Sequence, residues 1–590
     1  MESLSRSTVI CSISRNPPHR PSPTNSLPST SIFKPLLRRL KPLQLKVEVP
    51  EQLKTASLNL LDRMVETVFR FEKEPTFIAG NFAPVAEIGE AVQVSAIEGV
   101  IPEGFPQGIY FRNGPNHVHP DLTAAVSVFG RTAYTSVEGD GMIHATYFSK
   151  DGEGNWNVSY KNKYVETESF LLEKNRNKKL FLPAAAGDPS AVLASFFINT
   201  VRCGQAVKFE ANTGVFVHAG KLYAVSEQNL PYEIDPSNLD TLKSWDVNGT
   251  WDRPFTSHPK RVPRTGELVT MGVDIQRPHY VLGVISADGT KMLHKVDLKL
   301  KTGVLVHELG VTENYNIIMD YPLGIGINRP LSGKPFIGYE QNGKSKIGVM
   351  PRFGNAESVS WFRVKNHCSF HIINTFEDGD EVVVRGCRTT GSVIPGPGHK
   401  ANKLEWYRRA FQFPNKDSNT FDPSVDGSLF SRPYQWRLNM KTGAVTEAFL
   451  TGKEFAMDFP TINSRFVGLR NKYAYTQVMD SEASSNLGVG KFKMIAKLHF
   501  DLHDKDNEEL IKVEYHALGE SQFCSGLEFV QNLQGTEEDD GWLISYVHDE
   551  KSDKSMVYII DAKRFNEGLV ARIELPQRVP YGFHGTYKYM

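Results

Sequence analysis

Cysteine is scarce in this 590-residue chain. There are five, Cys11, Cys203, Cys368, Cys387 and Cys524, an odd number, widely spaced and without a C-x-x-C pair. That count argues against both a disulfide scaffold and a zinc knuckle. No apolar run approaches the roughly 18 residues that span a bilayer. Net charge is missing too: 67 basic side chains meet 67 acidic ones, which disfavours a nucleic-acid partner held by bulk charge. Also absent are G-x-S-x-G and H-E-x-x-H, and Gly324-Ile-Gly326 continues into Ile-Asn-Arg and fails the dinucleotide pattern. Nucleophilic hydrolysis and dinucleotide chemistry lose their usual markers. What remains is ordinary globular material, 40% hydrophobic and 23% charged.

The charge balance hides an asymmetry. Residues 1–47 hold eight basic residues and one acid, Glu2, with twelve Ser or Thr and seven Pro. A Ser- and Arg-rich, acid-poor beginning is what an organelle transit peptide looks like; a plain disordered tail has a similar composition. Residues 53–71 then carry a helical pattern, with Leu58, Leu61, Met64, Val65 and Val68 on one side and Asp62, Arg63 and Glu66 on the other. Such a helix packs on the protein body or lies in a membrane interface. A second helical stretch runs from Ala191 to about Val207.

Beyond residue 95 the pattern changes to short strands, such as Lys221–Ser226, Glu381–Arg385, Trp542–Val547 and Met556–Ile560. Turn dipeptides punctuate them: Asp151-Gly152, Thr265-Gly266, Asp288-Gly289, Thr442-Gly443 and Asp540-Gly541. This predicts an all-β architecture. It is too long for a sandwich, and a propeller of four-stranded blades fits the length.

Histidine is the informative residue, with 17 copies. His117-x-His119 is a tempting local pair, but it sits in a polar loop and is set aside. His367 and His371 are four apart, a spacing that is most often structural. Four contexts say more: His258 in FTSHPKRVPRTGE, His307 in VLVHELGVTENY, His371 in CSFHIINTFEDGD and His584 in RVPYGFHGTY. These strings resemble the plant branch of the carotenoid cleavage oxygenase family. Asn81-Phe-Ala-Pro84, Phe111-Arg-Asn-Gly-Pro-Asn116, Gly139-Asp-Gly-Met-Ile-His144, Asp458-Phe-Pro460 and Val547-His-Asp-Glu550 follow in the family's order. The resemblance covers about residues 80–590.

It implies a seven-bladed β-propeller with a helical cap over the active-site face, and a non-haem ferrous iron, Fe(2+), on the axis. The implied ligands are His258, His307, His371 and His584, 49, 64 and 213 positions apart. No helix or hairpin joins residues so distant, but inner strands of different blades converge on one axis. Imidazole also suits zinc, copper and nickel, so iron rests on the resemblance. Carboxylates are expected on the far ring nitrogens, and Glu227 matches the first of the family's three. Asp458 stands where the family has a glutamate. At the third position Gly526 replaces the carboxylate, and Glu528, two residues on, is the remaining candidate. The family's aspartate and phenylalanine after the second ligand read Glu308 and Leu309, and its Asn-Ala-Trp after the third reads Asn374-Thr375-Phe376. These positions are expected near the substrate. His144 and His548 are read as structural.

The implied activity is a dioxygenase that splits a conjugated double bond of a carotenoid or apocarotenoid with O2, leaving two carbonyls and using no catalytic group beyond the metal site. Alternatives are a smaller stilbene-like alkene, an epoxycarotenoid, or a propeller that binds apocarotenoids without cutting them. Residues 1–47 are then expected to be a plastid transit peptide and 48–590 the oxygenase domain. The protein is expected to be a plastid monomer that touches membranes peripherally.

Overall fold

The computed structural model describes residues 51–73, 78–274, 279–300, 303–392, 394, 396–397 and 401–590. The expected transit peptide lies outside them. The chain divides after Arg70. Before the division is a helix, Glu51–Val68, rather than the expected 53–71. It stops early because Phe69 precedes and Phe71 lies within an extended segment, Arg70–Glu72, and aromatic residues favour pleated backbone.

After the division the strands sort into seven antiparallel sets of four or five strands, which fit the seven-bladed propeller, beside one small four-stranded and one two-stranded sheet. Blade 1 begins with Gly108–Pro115 and blade 2 with Gly214–His218. Blades 3, 4 and 5 open on Lys260–Arg261, Gly310–Val311 and Ile372–Asp378. Blades 6 and 7 open on Met457–Thr461 and Gln522–Gln531 and share one ladder through the pair Phe492 and Cys524. The middle strands read as continuous apolar runs because neighbouring blades cover both faces. Lys554–Asp561 is buried from Ser555 to Ile560. Outermost strands alternate instead: along Met292–Lys299 the half-buried and exposed positions take turns. Gly289 and Gly443 take left-handed backbone, φ 71° and 74°, at two of the expected hairpin turns.

The ring closes with the last strand, Gly585–Tyr589, which pairs along Gly108–Arg112 as the innermost strand of blade 1. Tyr587 anchors it by donating its hydroxyl to the Pro106 carbonyl at 2.7 Å. Between blades 1 and 7 the core is aromatic, with Tyr110, Phe148, Tyr160, Trp542 and Tyr546 buried together.

Long connections leave the blades on one face and form the cap. They carry the helices Glu168–Arg176, Pro189–Cys203, Lys403–Phe411 and Ser481–Leu487. The apolar stretch read from Ala191 is the second of these. Pro189 opens it at the first helical position, and Gly204, φ 76°, ends it.

Candidate metal centre

Each of the four histidines stands at or just before the start of an innermost strand. His258 precedes Lys260–Arg261, His307 precedes Gly310–Val311, and His371 and His584 directly precede Ile372–Asp378 and Gly585–Tyr589. Innermost strands converge on the axis, so these positions come from blades 3, 4, 5 and 1. Backbone bonds fix where each ring begins. Thr256 Oγ1 donates to the His307 carbonyl at 2.8 Å and accepts from the His258 amide at 3.1 Å. The Cys387 amide donates to the His371 carbonyl, and the Asn113 amide to that of His584.

The four rings meet. His258 Nε2 lies 2.8 Å from His307 Nε2, and His371 Nε2 lies 3.1 Å from His584 Nε2. One nitrogen from each ring lies within 4.8 Å of all the others. A metal bonded to imidazole nitrogen at about 2.1 Å sets neighbouring donors about 3.0 Å apart and opposite donors about 4.2 Å apart. The donor set therefore fits a metal ion. Among the described residues this is the one cluster of three or more His, Cys, Asp or Glu close enough for that.

The surroundings favour the neutral form, with a free lone pair, at two of the rings. Burial, then the neighbouring imidazoles, hold His258 and His584 well below the usual imidazole range. Burial also opposes charge on His307, but the Glu227 carboxylate outweighs it and raises that ring. Glu227 Oε1 lies 2.7 Å from His307 Nδ1, and Asp458 Oδ1 lies 2.6 Å from His371 Nδ1. Each carboxylate fixes a ring so that its Nε2 faces inward. The shorter Asp458 therefore still reaches its histidine.

Glu528 does not reach one. A break in register between Ser525 and Glu528 leaves Gly526 and Leu527 bulged out of the pairing with Gly541–Asp549. The Glu528 carboxylate accepts its neighbour Phe529's amide at 3.1 Å, and burial pushes it up to about 8. Nor does position 526 have room for a side chain. Gly526 has φ 75°, and a Cβ there would lie 2.3 Å from Arg112 Cγ. The buried Arg112 occupies that space, its Nε and Nη2 without hydrogen-bond partners among the described residues.

Two residues gain a role that sequence reasoning missed. Glu308 was expected near the substrate, yet it lies outside the cavity lining, buried at 4% exposure. Its carboxylate accepts the Ile372 amide at 2.6 Å and pairs with Lys260. One side chain thus ties the strands that follow His258, His307 and His371. Leu309, Asn374, Thr375 and Phe376 also lie outside the lining. Asn374 bonds the Phe466 and Leu469 carbonyls, and Thr375 that of Val311. Phe459 is the other missed residue. Its backbone is left-handed, φ 52°, uncommon for an aromatic residue. That turn sets its ring 4.7 Å from His371 and 5.0 Å from His584. The only sequence signal was the Asp458-Phe-Pro string that contains it.

A cavity of 690 Å3 opens onto the cluster and includes His307, His371 and His584 in its wall. Phe336, Phe370, Phe459, Phe492 and Met271 make it largely apolar, and the cap residues Thr200 and Phe411 also line it. The rejected His117 joins no metal cluster among the described residues. His144 Nδ1 lies 2.7 Å from the Tyr160 hydroxyl and His548 Nδ1 3.0 Å from that of Ser555, in keeping with structural roles.

The sequence model of the retinal pigment epithelial membrane protein family, RPE65, matches residues 82–589. The chain belongs to this family. Similar members include a carotenoid 9,10(9',10')-cleavage dioxygenase of Pisum sativum, 31% identical over 90% of this chain and 93% of the relative. A chloroplastic 9-cis-epoxycarotenoid dioxygenase of Oryza sativa subsp. japonica is 28% identical over 91% and 89%. Among solved structures, the lignostilbene dioxygenase of Pseudomonas brassicacearum superposes with a TM-score of 0.71 at 23% identity, covering 88% of this chain and 99% of its own. That likeness shows the shared propeller fold.

Proposed function

We propose that the chain is a non-haem iron(II) dioxygenase that splits a conjugated double bond of a carotenoid or apocarotenoid with O2 to give two carbonyl products. One observation carries the proposal: four imidazoles converge on one point in the wall of a large apolar cavity. Plant relatives named as carotenoid cleavage dioxygenases support the substrate class. Ferrous iron held by His258, His307, His371 and His584 supplies the activation of O2. The chain does the rest. Glu227 and Asp458 orient two rings, the phenylalanines exclude water, and the cavity wall decides which bond faces the metal centre. Both oxygen atoms end on the two severed carbons, so the balance needs no reductant and no protein acid or base.

Residues 1–47 are proposed as a plastid transit peptide, in line with the chloroplastic relative. The mature protein is proposed to act as a monomer that touches membranes peripherally. No described helix is long and apolar enough to cross a membrane. Phe197 and Val201, 67% and 48% exposed on the Pro189–Cys203 helix, and the Glu51–Val68 helix are the proposed contacts. Unchanged liposome binding after deletion of residues 53–71 would remove that helix from the proposal.

A second reading, a propeller that binds apocarotenoids without cutting them, draws support from Gly526, which leaves His584 without a carboxylate. Metal analysis beside product identification separates the two. The purified protein is incubated with β-carotene, zeaxanthin, an apocarotenal, an epoxycarotenoid and a stilbene. Bound iron with carbonyl products from a polyene supports cleavage. Bound iron without product from any substrate supports the binder, and product from the stilbene alone reassigns the substrate.

A further inference from the structure

In the string Val547-His-Asp-Glu550 two members serve their own blade. His548 Nδ1 lies 3.0 Å from the Ser555 hydroxyl, and Asp549 accepts the Ser521 hydroxyl at 2.7 Å. Glu550, just past the end of Gly541–Asp549, reaches further. Its Oε1 accepts the Tyr581 hydroxyl at 2.9 Å, and both of its oxygens lie 2.7 Å from Lys491 Nζ. Lys491 is 5% exposed and meets no other acid among the described residues.

Both partners belong to the surroundings of the cavity. Tyr581 begins the segment Tyr581-Gly-Phe-His584, and all four residues line the wall. The segment is irregular backbone with few holds. Gly582 offers no side chain and has no room for one, since a Cβ there would lie 1.5 Å from Arg112 Nη1. The Tyr581 amide donates to the Asn81 carbonyl at 2.9 Å and the Phe583 amide to that of Asn113 at 3.0 Å. Tyr581 supplies the segment's only side-chain oxygen, and burial followed by the Glu550 carboxylate keeps that phenol protonated, so it donates. Lys491 stands between Gly490 and Phe492, two other residues of the wall. It is tied to the cap helix Ser481–Leu487: its amide donates to Ser484 Oγ at 2.9 Å, and its carbonyl accepts the Asp480 amide at 2.8 Å. The Phe492 ring lies 5.3 Å from that of Phe459, which in turn lies 5.0 Å from His584.

We infer that Glu550 is a positioning residue for His584. Through Tyr581 it fixes, from behind the wall, the segment that delivers this ring to the cluster, and through Lys491 it holds the Gly490–Phe492 stretch in register with that segment. The bulge at Gly526 leaves His584 without a carboxylate of its own, so the acid that steadies it acts one side chain further out. This rests on the metal-centre reading, and the test keeps the two apart.

Metal-free protein is titrated with cobalt(II), and both the affinity and the visible absorption of the loaded site are read. Tyr581→Phe and Glu550→Ala are expected to weaken binding about tenfold, the lower end of what losing an outer partner costs, and to shift the cobalt bands as one ring loosens. Glu550→Gln can still accept the Tyr581 hydroxyl and is expected to recover most of that affinity. Asp539→Ala breaks a different buried pair, with Lys497 at 2.8 Å. It is expected to lower the melting temperature while affinity and bands stay at the wild-type values. Wild-type affinity in Tyr581→Phe, no recovery in Glu550→Gln, or a cobalt loss in Asp539→Ala equal to that in Glu550→Ala overturns the inference. If Glu550→Ala does not fold, Tyr581→Phe, which removes a single oxygen, decides. His584→Ala is the reference. Wild-type cobalt affinity in that variant sinks the metal centre itself, whereas its loss there beside an unchanged Tyr581→Phe sinks this inference only.

Discussion

His307 and His371 each rest on a carboxylate, at 2.7 and 2.6 Å, whereas His258 and His584 meet none among the described residues. The first pair is aimed by side chains reaching across from blades 2 and 6. The second is aimed by backbone: His258 through Thr256, and His584 through the strand that closes the ring onto blade 1. A metal site of this kind can therefore orient its rings in two ways. Carboxylates also raise ligand basicity, while backbone placement ties the site to the integrity of the propeller.

The largest effect should come from removing a ring in either half. His371→Ala and His584→Ala are both expected to abolish bound iron and cleavage, with the metal-free proteins melting close to wild type. Iron retained by one variant alone would break the comparison by taking that ring out of the centre. Next come the supports. Glu227→Gln and Asp458→Asn are expected to weaken metal binding 10–100-fold, roughly the usual effect of losing such a partner. The check is titration of the metal-free protein, and full affinity in either variant would make the carboxylates incidental.

Glu308 joins the halves by tying strands from both. Glu308→Ala strands the Ile372 amide and Lys260, and is expected to cost about 2 kcal/mol of stability in denaturant unfolding. Its effect on metal affinity should be smaller than that of Glu227→Gln. The smallest effect concerns Glu528, the carboxylate that reaches no histidine. Burial raises it from the ordinary range to about 8, so the folded state holds a proton there that the unfolded chain has released. Its contribution to stability is complete below the unfolded value near 4.5 and is lost as pH rises towards 8. Glu528→Gln should remove that loss, raising the melting temperature more at pH 8 than at pH 5. An equal shift at both pH values would show that the carboxyl is ionised in the fold.

Much of the centre was legible in the chain, for an uneven reason. The four histidines and Glu227 sit in strings that stay recognisable because ligand and strand start are fixed together. Asp458 was legible as a shortened carboxylate, but that it still spans to His371 depends on the backbone of blade 6. Glu528 misled because counting along a strand assumes regular pairing, and the bulge at Gly526 breaks that count. Glu308 misled in another way: adjacency to a ligand suggested the substrate, while its carboxylate points to the strands behind the site.

Sequence alone was enough for the chemistry of the parts: short strands, an N-terminal stretch of distinct composition, imidazoles in four separated contexts, and too few cysteines for a disulfide scaffold. Tertiary structure decided the rest. Ring-to-ring distances, the displaced carboxylate and the tie made by Glu308 all depend on contacts between blades remote in the chain. Such contacts follow from packing and closure of the ring, which no local stretch of residues encodes.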